Sequence, residues 1–200
     1  MFRYHTKFLL SATSAAQFPA SSVPEIAFLG RSNVGKSSLI NALLGSRQAR
    51  VSSTPGRTRA INFFALHASA TMSKAELLFA DLPGYGYAKI SKSISAEWPS
   101  FIEPYLAERP QLALCLCLID SNIPAQPSDL QLLDWLRAHQ RPLLVVGTKA
   151  DKLSGNERTR QKTLLQRDLG LEELLFVSSK TGFGLPALHT RLDALAADGG

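Results

Sequence analysis

This 200-residue chain has few cysteines, fewer acids than bases and no long apolar run. Its two cysteines, Cys115 and Cys117, stand in a C-x-C pair inside an apolar segment, where one buried face would hold both thiols as core residues. Two cysteines are too few ligands for a metal site built on thiolates. We expect no disulfides, which fits a reducing cytoplasm. No stretch approaches the roughly 18 apolar residues that span a membrane. We therefore expect a cytoplasmic protein without a membrane partner.

The shortage of acids gives the chain a formal charge of +6, from 22 Lys and Arg against 16 Asp and Glu. This excess favours a polyanionic partner such as RNA, although a basic surface is often only a solvated one. Residues 1–20 contain Arg3, Lys7 and no acid, as a targeting peptide would. Their apolar part is only Phe8–Leu10, so we interpret residues 1–24 as an N-terminal extension of one domain over residues 1–200.

Apolar runs alternate with helical patterns along most of the chain. The predicted strands are Glu25–Leu29, Ile61–Leu66, Ala75–Ala80, Leu112–Ile119, Pro142–Gly147 and Leu174–Val177. The predicted helices are Ser38–Leu44, Ser93–Glu108, Asp129–His139, Asn156–Leu169 and Leu185–Ala196, before a frayed tail over 197–200. This alternation predicts an α/β fold with a doubly wound, mostly parallel six-stranded sheet and one antiparallel edge strand.

The segment between the first predicted strand and helix has the pattern G-x-x-x-x-G-K-S. Its glycines let backbone N–H groups curl around a phosphate at a helix N-terminus. Lys36 would reach the β- and γ-phosphates, and the Ser37 hydroxyl would hold Mg²⁺. The pattern predicts a nucleotide-phosphate site formed by Gly30, Arg31, Ser32, Asn33, Val34, Gly35, Lys36 and Ser37.

Three further polar segments follow predicted strands, at the edge of a parallel sheet where ligands bind, namely Asp81–Gly84, Thr148–Asp151 and Ser178–Lys180. Asp81 ends the third strand and can hold Mg²⁺ directly or through water, while the Gly84 N–H can meet a γ-phosphate. Thr148–Asp151 resembles the N/T-K-x-D loop of GTPases, in which the Asp151 carboxylate would accept two bonds from guanine and the Lys149 stem would lie along the base. Because adenine lacks this donor pair, an ATPase is disfavoured.

The chain resembles the EngB family of Era-like bacterial ribosome-assembly GTPases over nearly its whole length. The resemblance rests on Pro24–Phe28, Gly30–Asn41, Thr54–Thr58, Asn62–Phe64, Asp81–Ala88 and Thr148–Asp151, with Ser178–Lys180 matching an S-A-K motif whose N–H contacts guanine O6. It implies a P-loop NTPase of the Ras-like G-domain type that binds GTP and GDP with Mg²⁺ and hydrolyses GTP to GDP and phosphate. It also implies a switch in large ribosomal subunit assembly, contacting rRNA and needed for septation, and we expect a monomer that does not bind DNA.

The resemblance also assigns roles to individual residues. Ser46–Arg59 becomes the first switch loop, where Thr54 and Thr58 compete for the magnesium-sensing role and the family pattern favours Thr58. The implied catalytic residues are Lys36, Thr58 and Gly84, and the implied metal ligands are Ser37 and Thr58. Besides the phosphate loop, the implied nucleotide-binding residues are Gly56, Arg57, Thr58, Arg59, Ala60, Asp81, Leu82, Pro83, Gly84, Thr148, Lys149, Ala150, Asp151, Val177, Ser178 and Ser179.

Two residues depart from the Ras-type pattern in ways that bear on hydrolysis. Tyr85 replaces the glutamine that orients the attacking water, so we expect slow hydrolysis until a cation or partner completes the site. Asn33 stands where relatives place a ligand for a monovalent cation such as K⁺; a loop-stabilising amide is the alternative. Thr148 replaces the commoner asparagine, as the EngB family does. Tyr85 and Tyr87 would either stack on RNA bases or be buried against the following helix.

Basic residues fall into two groups that can touch RNA phosphates or simply face solvent. One group lies near the switch loops, at Arg47, Arg50, Arg57, Arg59, Lys89 and Lys92. The other lies on the helix after Asp151, at Arg158, Arg160, Lys162 and Arg167. A competing interpretation is a nucleotide-gated binding module in septation with negligible turnover.

Overall fold

The computed structural model of this chain describes residues 4–49, 60–71, 74–85 and 98–198. Within these ranges the strands are β1 (His5–Ala12), β2 (Glu25–Gly30), β3 (Ile61–His67), β4 (Leu77–Asp81), β5 (Leu112–Asp120), β6 (Leu143–Thr148) and β7 (Leu175–Phe176). The α-helices are α1 (Lys36–Leu44), α2 (Ile102–Glu108), α3 (Pro127–Ala138), α4 (Gly155–Leu169) and α5 (Leu185–Asp198).

The strands form one sheet in the order β1-β3-β4-β2-β5-β6-β7. Pairing is parallel from β4 through β2, β5 and β6 to β7, and antiparallel between β1, β3 and β4. The predicted α/β class and mostly parallel sheet are confirmed. The predicted number of strands was wrong, because the described residues contain seven rather than six.

The additional strand is β1, which lies in the segment interpreted as an extension before the domain. It pairs antiparallel with β3 from His5 opposite His67 to Ala12 opposite Ile61, with a register shift between Phe8 and Leu10. The shift breaks the period-2 alternation that identifies a strand, and an edge position leaves Phe8 46% exposed. The sequence therefore lacked the apolar pattern on which strand prediction depends.

Helices cover both faces of the sheet, as a doubly wound fold requires. Buried leucines of α1 and α5 pack on one face, and buried residues of α2, α3 and α4 pack on the other. Along β5, Cys115 and Cys117 face the α3 side while Leu116 and Leu118 face the α1 side. Burial raises the pKa of the Cys115 thiol to about 12 and the pKa of the Cys117 thiol well above its ordinary value, so both free cysteines are protonated core residues, as predicted.

Several helix ends differ from their predicted positions. Helix α3 begins at Pro127 rather than Asp129, because the fixed φ of proline suits the first helical position. Helix α2 begins only at Ile102, after Pro99, and residues 93–97 of the predicted helix lie outside the described ranges. Helix α5 continues to Asp198, so residues 197 and 198 are helical rather than a frayed tail. No helix of the described residues is long and apolar enough to span a bilayer.

A buried ionic network lies where β2 begins, at the edge of the sheet away from the polar loops. Glu25 is fully buried, and its carboxylate accepts hydrogen bonds from the Tyr105 hydroxyl at 2.9 Å and from the Arg109 guanidinium at 2.5 Å. Arg109 also donates to the Pro19 carbonyl at 2.7 Å. The network joins α2 and the segment before β2 to the sheet.

We expect Arg109→Ala to lower the free energy of unfolding by about 3–5 kcal/mol, because it leaves the buried Glu25 carboxylate without its cation. Urea denaturation followed by circular dichroism measures the change. Arg191→Ala is the control, since it breaks an exposed pair with Glu173 that should contribute little. An equal change in both variants would contradict this account.

Candidate functional site

The phosphate-loop sequence connects β2 to α1, and Lys36 is the first helical residue. Asn33 and Gly35 have left-handed backbone conformations, with φ of 62° and 102°, which bend the chain sharply before the helix. Gly30 has no room for a side chain, since a Cβ there would lie 2.8 Å from Val34 Cγ1. The loop therefore curls tightly before α1, and its N–H groups lie at the positive end of the helix, as an anion site requires.

Polar atoms within the loop fit a bound phosphate and metal ion. The Ser32 hydroxyl is buried and has no hydrogen-bond partner within the described residues, and such an atom is costly unless a ligand completes it. Ser37 follows Lys36 in the first turn of α1. The described residues contain no cluster of three His, Cys, Asp or Glu side chains suited to a metal. The side chains beside the loop that could hold a metal ion are the Ser37 hydroxyl and the single carboxylate of Asp81.

Asp81 is the last residue of β4 and is 5% exposed. The Lys36 ammonium donates a hydrogen bond directly to its carboxylate. Leu82 and Pro83, the next two residues, are buried. The structure thus brings together two groups that the sequence assigned to one site, and each neutralises the charge of the other in a poorly solvated position.

Main-chain hydrogen bonds join the phosphate loop to the segment after β4. Ser32 N–H donates to the Tyr85 carbonyl at 3.1 Å, and Tyr85 N–H donates to the Gly30 carbonyl at 3.4 Å. Gly84 passes so close to the loop that a Cβ on it would lie 3.0 Å from Ser32 Oγ. Its own N–H donates to no acceptor among the described residues, so it remains available to a ligand.

Tyr85 is turned into the core and is only 2% exposed. Burial raises the pKa of its phenol well above the ordinary value, and Asp129 raises it further. The stacking-surface interpretation was therefore wrong for Tyr85, because its ring faces the core and not solvent. Tyr87, its proposed companion, lies outside the described residues. A buried phenol also cannot take the place of a water-orienting glutamine.

Thr148 ends β6 beside the phosphate loop and is 3% exposed. Its hydroxyl lies 2.5 Å from the Val34 carbonyl and 3.0 Å from the Ile119 carbonyl, and can donate to either. The side chain that replaces the commoner asparagine thus connects the phosphate loop to the central strands.

Lys149 bridges two polar groups at the same edge. Its backbone is left-handed, with φ of 58°, and its ammonium donates to the Asn33 carbonyl at 2.8 Å and to Asp120 at 2.7 Å. Burial alone would raise the pKa of Asp120, but bonds from Lys149 and Asn122 lower it below the ordinary value. The Asn33 side chain is exposed. The predicted contact of the Lys149 stem with a base stays a prediction.

The two loops assigned to base recognition touch each other. Ala150 N–H donates to the Val177 carbonyl at 3.1 Å, and the Ser178 hydroxyl donates to the Asp151 carboxylate at 2.7 Å. The Ser178 bond lowers the pKa of Asp151, so this carboxylate is ionised at neutral pH. An ionised acceptor is the group that the paired N–H donors of guanine need.

Hydrogen bonds within the loop after β7 limit which of its N–H groups can meet a base. Ser178 N–H donates to the Phe183 carbonyl at 2.9 Å, and Lys180 N–H donates to the Ser178 hydroxyl at 3.2 Å. Ser179 N–H donates to no acceptor in the described part of the chain. Within Ser178–Lys180, Ser179 is therefore the donor available for guanine O6.

Part of the predicted site lies outside the described residues, namely Gly56, Arg57, Thr58 and Arg59, together with Thr54. Their nucleotide and metal roles stay predictions. Arg50, Lys89 and Lys92 also lie outside the described residues, and their contact with RNA phosphates stays a prediction. Ala60, directly before β3, is partly exposed. Sequence reasoning missed Asp120 and Asp129. The polar end of the apolar β5 run could have identified Asp120, whereas Asp129 looks like any acid in the first turn of a helix.

Comparisons with known proteins agree with this geometry. A sequence profile of the family described as 50S ribosome-binding GTPase matches residues 25–149. A probable GTP-binding protein EngB from Acidobacterium capsulatum is 66% identical over 194 residues, which cover 97% of this chain and 92% of that protein. The chain belongs to the EngB family of GTP-binding proteins. As an EngB-family member it binds guanine nucleotides and is a GTPase.

Solved structures support the fold of this EngB-family chain. The crystal structure of a probable GTP-binding protein engB has a TM-score of 0.66 at 21% identity and covers 87% of this chain and 99% of its own. Era, crystallised with MgGDPNP and nucleotides 1506–1542 of 16S ribosomal RNA, has a TM-score of 0.65 at 24% identity, covering 85% of this chain and 55% of Era. At these identities the likeness shows the Ras-like fold alone.

Proposed function

We propose that this EngB-family GTPase is a cytoplasmic, monomeric, single-domain switch in large ribosomal subunit assembly, and is thereby needed for normal septation. The observation that carries the proposal is the meeting of three segments at one edge of the sheet. Direct hydrogen bonds join the phosphate loop and the first residue of α1 to Asp81 and Tyr85, and join the loop to Lys149, which lies two residues before Asp151 of the Asp151–Ser178 pair. One guanine nucleotide can bridge all three, and the matched family is described as 50S ribosome-binding.

The residues of the site divide the work of binding. Lys36 exchanges Asp81 for phosphate oxygens as nucleotide binds, while Ser37, Thr58 and Asp81 would hold Mg²⁺. The metal ion, when bound, neutralises charge on the β- and γ-phosphates. The Gly84 N–H meets the γ-phosphate, because it lies beside the phosphate loop and has no acceptor among residues 4–49, 60–71, 74–85 and 98–198. Asp151 and the Ser179 N–H select guanine.

Hydrolysis by the isolated protein is slow in this proposal, because Tyr85 is buried and orients no water. The missing catalytic group must then come from a cation or a partner. The backbone of Asn33 is fixed by its carbonyl bond to Lys149, and its exposed side chain can serve as a ligand for K⁺.

Helix α4 supplies the surface that we propose for rRNA. Arg160 is exposed and has no ion pair within the described residues, and the Arg158 guanidinium lies 4.5 Å from the centroid of the exposed Phe183 ring. An exposed cation such as Arg160 suits RNA phosphates, and an exposed aromatic ring beside a second cation suits RNA bases. Arg167 is already paired with Asp168 and is less available.

We expect the protein to migrate with large ribosomal subunits in sucrose gradients when GMPPNP is present, and to dissociate with GDP, because only a γ-phosphate engages Gly84. Small subunits are the control. Complete absence of migration with large subunits would exclude the proposal. It would favour the alternative, a nucleotide-gated binding module in septation.

We expect Asp151→Asn to weaken GDP binding about 10- to 100-fold and to strengthen XDP binding, because the amide presents a donor where guanine also presents donors. Fluorescent-nucleotide titration measures both affinities. Asp134→Asn removes an exposed carboxylate on α3 and should change neither. Unchanged GDP affinity in Asp151→Asn would overturn the assignment of guanine recognition.

We expect GTP turnover to be faster in KCl than in NaCl and faster still with large subunits, because both add charge or contacts that Tyr85 does not supply. Phosphate release over the four combinations of salt and subunits measures this. Equal rates of phosphate release in all four combinations would contradict the proposal that a cation or a partner completes the catalytic site.

A further inference from the structure

Asp129, in the first turn of α3, is a buried carboxylate with no role in the proposed mechanism. It is 2% exposed, and its Oδ1 accepts hydrogen bonds from Arg31 Nε at 3.1 Å and from the Tyr85 hydroxyl at 3.2 Å. Arg31 belongs to the phosphate loop, and Tyr85 directly follows Gly84. Asp129 Oδ1, which lies outside the nucleotide site, therefore contacts both the phosphate loop and the residue that follows Gly84.

The same two residues are also paired through their main chains. Arg31 and Tyr85 form an isolated parallel bridge, with bonds from Ser32 N–H to Tyr85 and from Tyr85 N–H to Gly30. An isolated bridge lacks the neighbouring ladder that makes a sheet cooperative, so its stability depends on what holds the two side chains. Those side chains meet at Asp129.

The charges make this contact costly to lose. Burial raises the pKa of Asp129, and the Arg31 guanidinium and Tyr85 hydroxyl oppose that shift. A buried carboxylate is tolerated when such partners surround it. Removing it leaves the Tyr85 hydroxyl buried without this acceptor, which favours movement of the ring and of the Gly84–Tyr85 peptide attached to it.

We propose that Asp129 is a positioning residue for γ-phosphate recognition, which holds the Gly84–Tyr85 peptide against the phosphate loop through Tyr85 and Arg31. The inference rests on the proposed function, since it assumes that Gly84 N–H meets the γ-phosphate. The effect differs between nucleotides, because GTP has a γ-phosphate for the Gly84 N–H to contact and GDP has none. Loss of the anchor weakens binding of GTP analogues more than binding of GDP.

The molecule contains a matched control for the Tyr85–Asp129–Arg31 group. Tyr105, Glu25 and Arg109 form a second buried Tyr–carboxylate–Arg group, where β2 begins. Tyr105 is also fully buried, and its hydroxyl donates to a carboxylate at 2.9 Å. Tyr105→Phe therefore removes the same kind of hydrogen bond away from the phosphate loop.

The test measures dissociation constants for GMPPNP and GDP in Tyr85→Phe, Asp129→Ala and Tyr105→Phe. In Tyr85→Phe and Asp129→Ala we expect the dissociation constant for GMPPNP to rise about tenfold and that for GDP to change less than about threefold. In Tyr105→Phe we expect the ratio of the GMPPNP constant to the GDP constant to equal that of the wild-type protein. Tyr85→Phe loses one hydroxyl and keeps the ring, so it provides the test if Asp129→Ala fails to fold.

Equal weakening of GMPPNP and GDP, an unchanged ratio in Tyr85→Phe, or a similar change in Tyr105→Phe would each overturn the inference. Sedimentation of the wild-type protein with large subunits, run in parallel, separates this result from the proposed function. Migration with GMPPNP together with an unchanged ratio rejects only the role of Asp129. A wild-type protein that binds GMPPNP but never migrates with subunits rejects the switch in subunit assembly.

Discussion

The close approach of Gly84 to Ser32 is the constraint on which the rest of the site depends. A Cβ at residue 84 would lie 3.0 Å from the Ser32 hydroxyl, so a side chain here would force the phosphate loop to shift by a few tenths of an ångström. The approach follows from the register of β2 and β4, which pairs Phe28 with Asp81. The same register brings the Asp81 carboxylate to Lys36, so one strand pairing sets both the position of Gly84 beside Ser32 and the charge pair next to it.

Ion pairs extend this order along the edge of the sheet. Lys36 pairs with Asp81, Lys149 with Asp120 and Arg31 with Asp129, each across different segments of the chain. Arg31 and Lys149 supply their cations from loops, and Lys36 supplies its cation from the first position of α1. Asp81 and Asp120 end strands, and Asp129 lies in the first turn of a helix. Rigid elements thus fix the position of flexible side chains, which reduces the reorganisation that nucleotide binding requires.

The sequence predicted those parts of the molecule whose signals are local. Apolar runs located six strands, and the polar residues after them located Lys36, Asp81 and Asp151, which the structure places at one edge. Strand β1 escaped because its register shift and exposed edge erase alternation. The contact between Asp129 and Tyr85 was not predicted, because it joins residues 44 positions apart in the chain, which no local pattern encodes. The burial of Tyr85 was one of two alternatives that the sequence left open. The roles of Thr58 and its neighbours rest on the resemblance alone.

The position of Tyr85 explains why binding and catalysis separate in this proposal. A buried aromatic ring contributes a large apolar area to the core and fixes the peptide beside Gly84. A glutamine that orients water must instead keep its amide at the solvent side of the nucleotide. One residue cannot do both, since the side chain that anchors the peptide inward is absent from the reacting centre. In the proposed function, the chain thereby gains a positioned donor for the γ-phosphate, and a cation or a partner supplies the catalytic group.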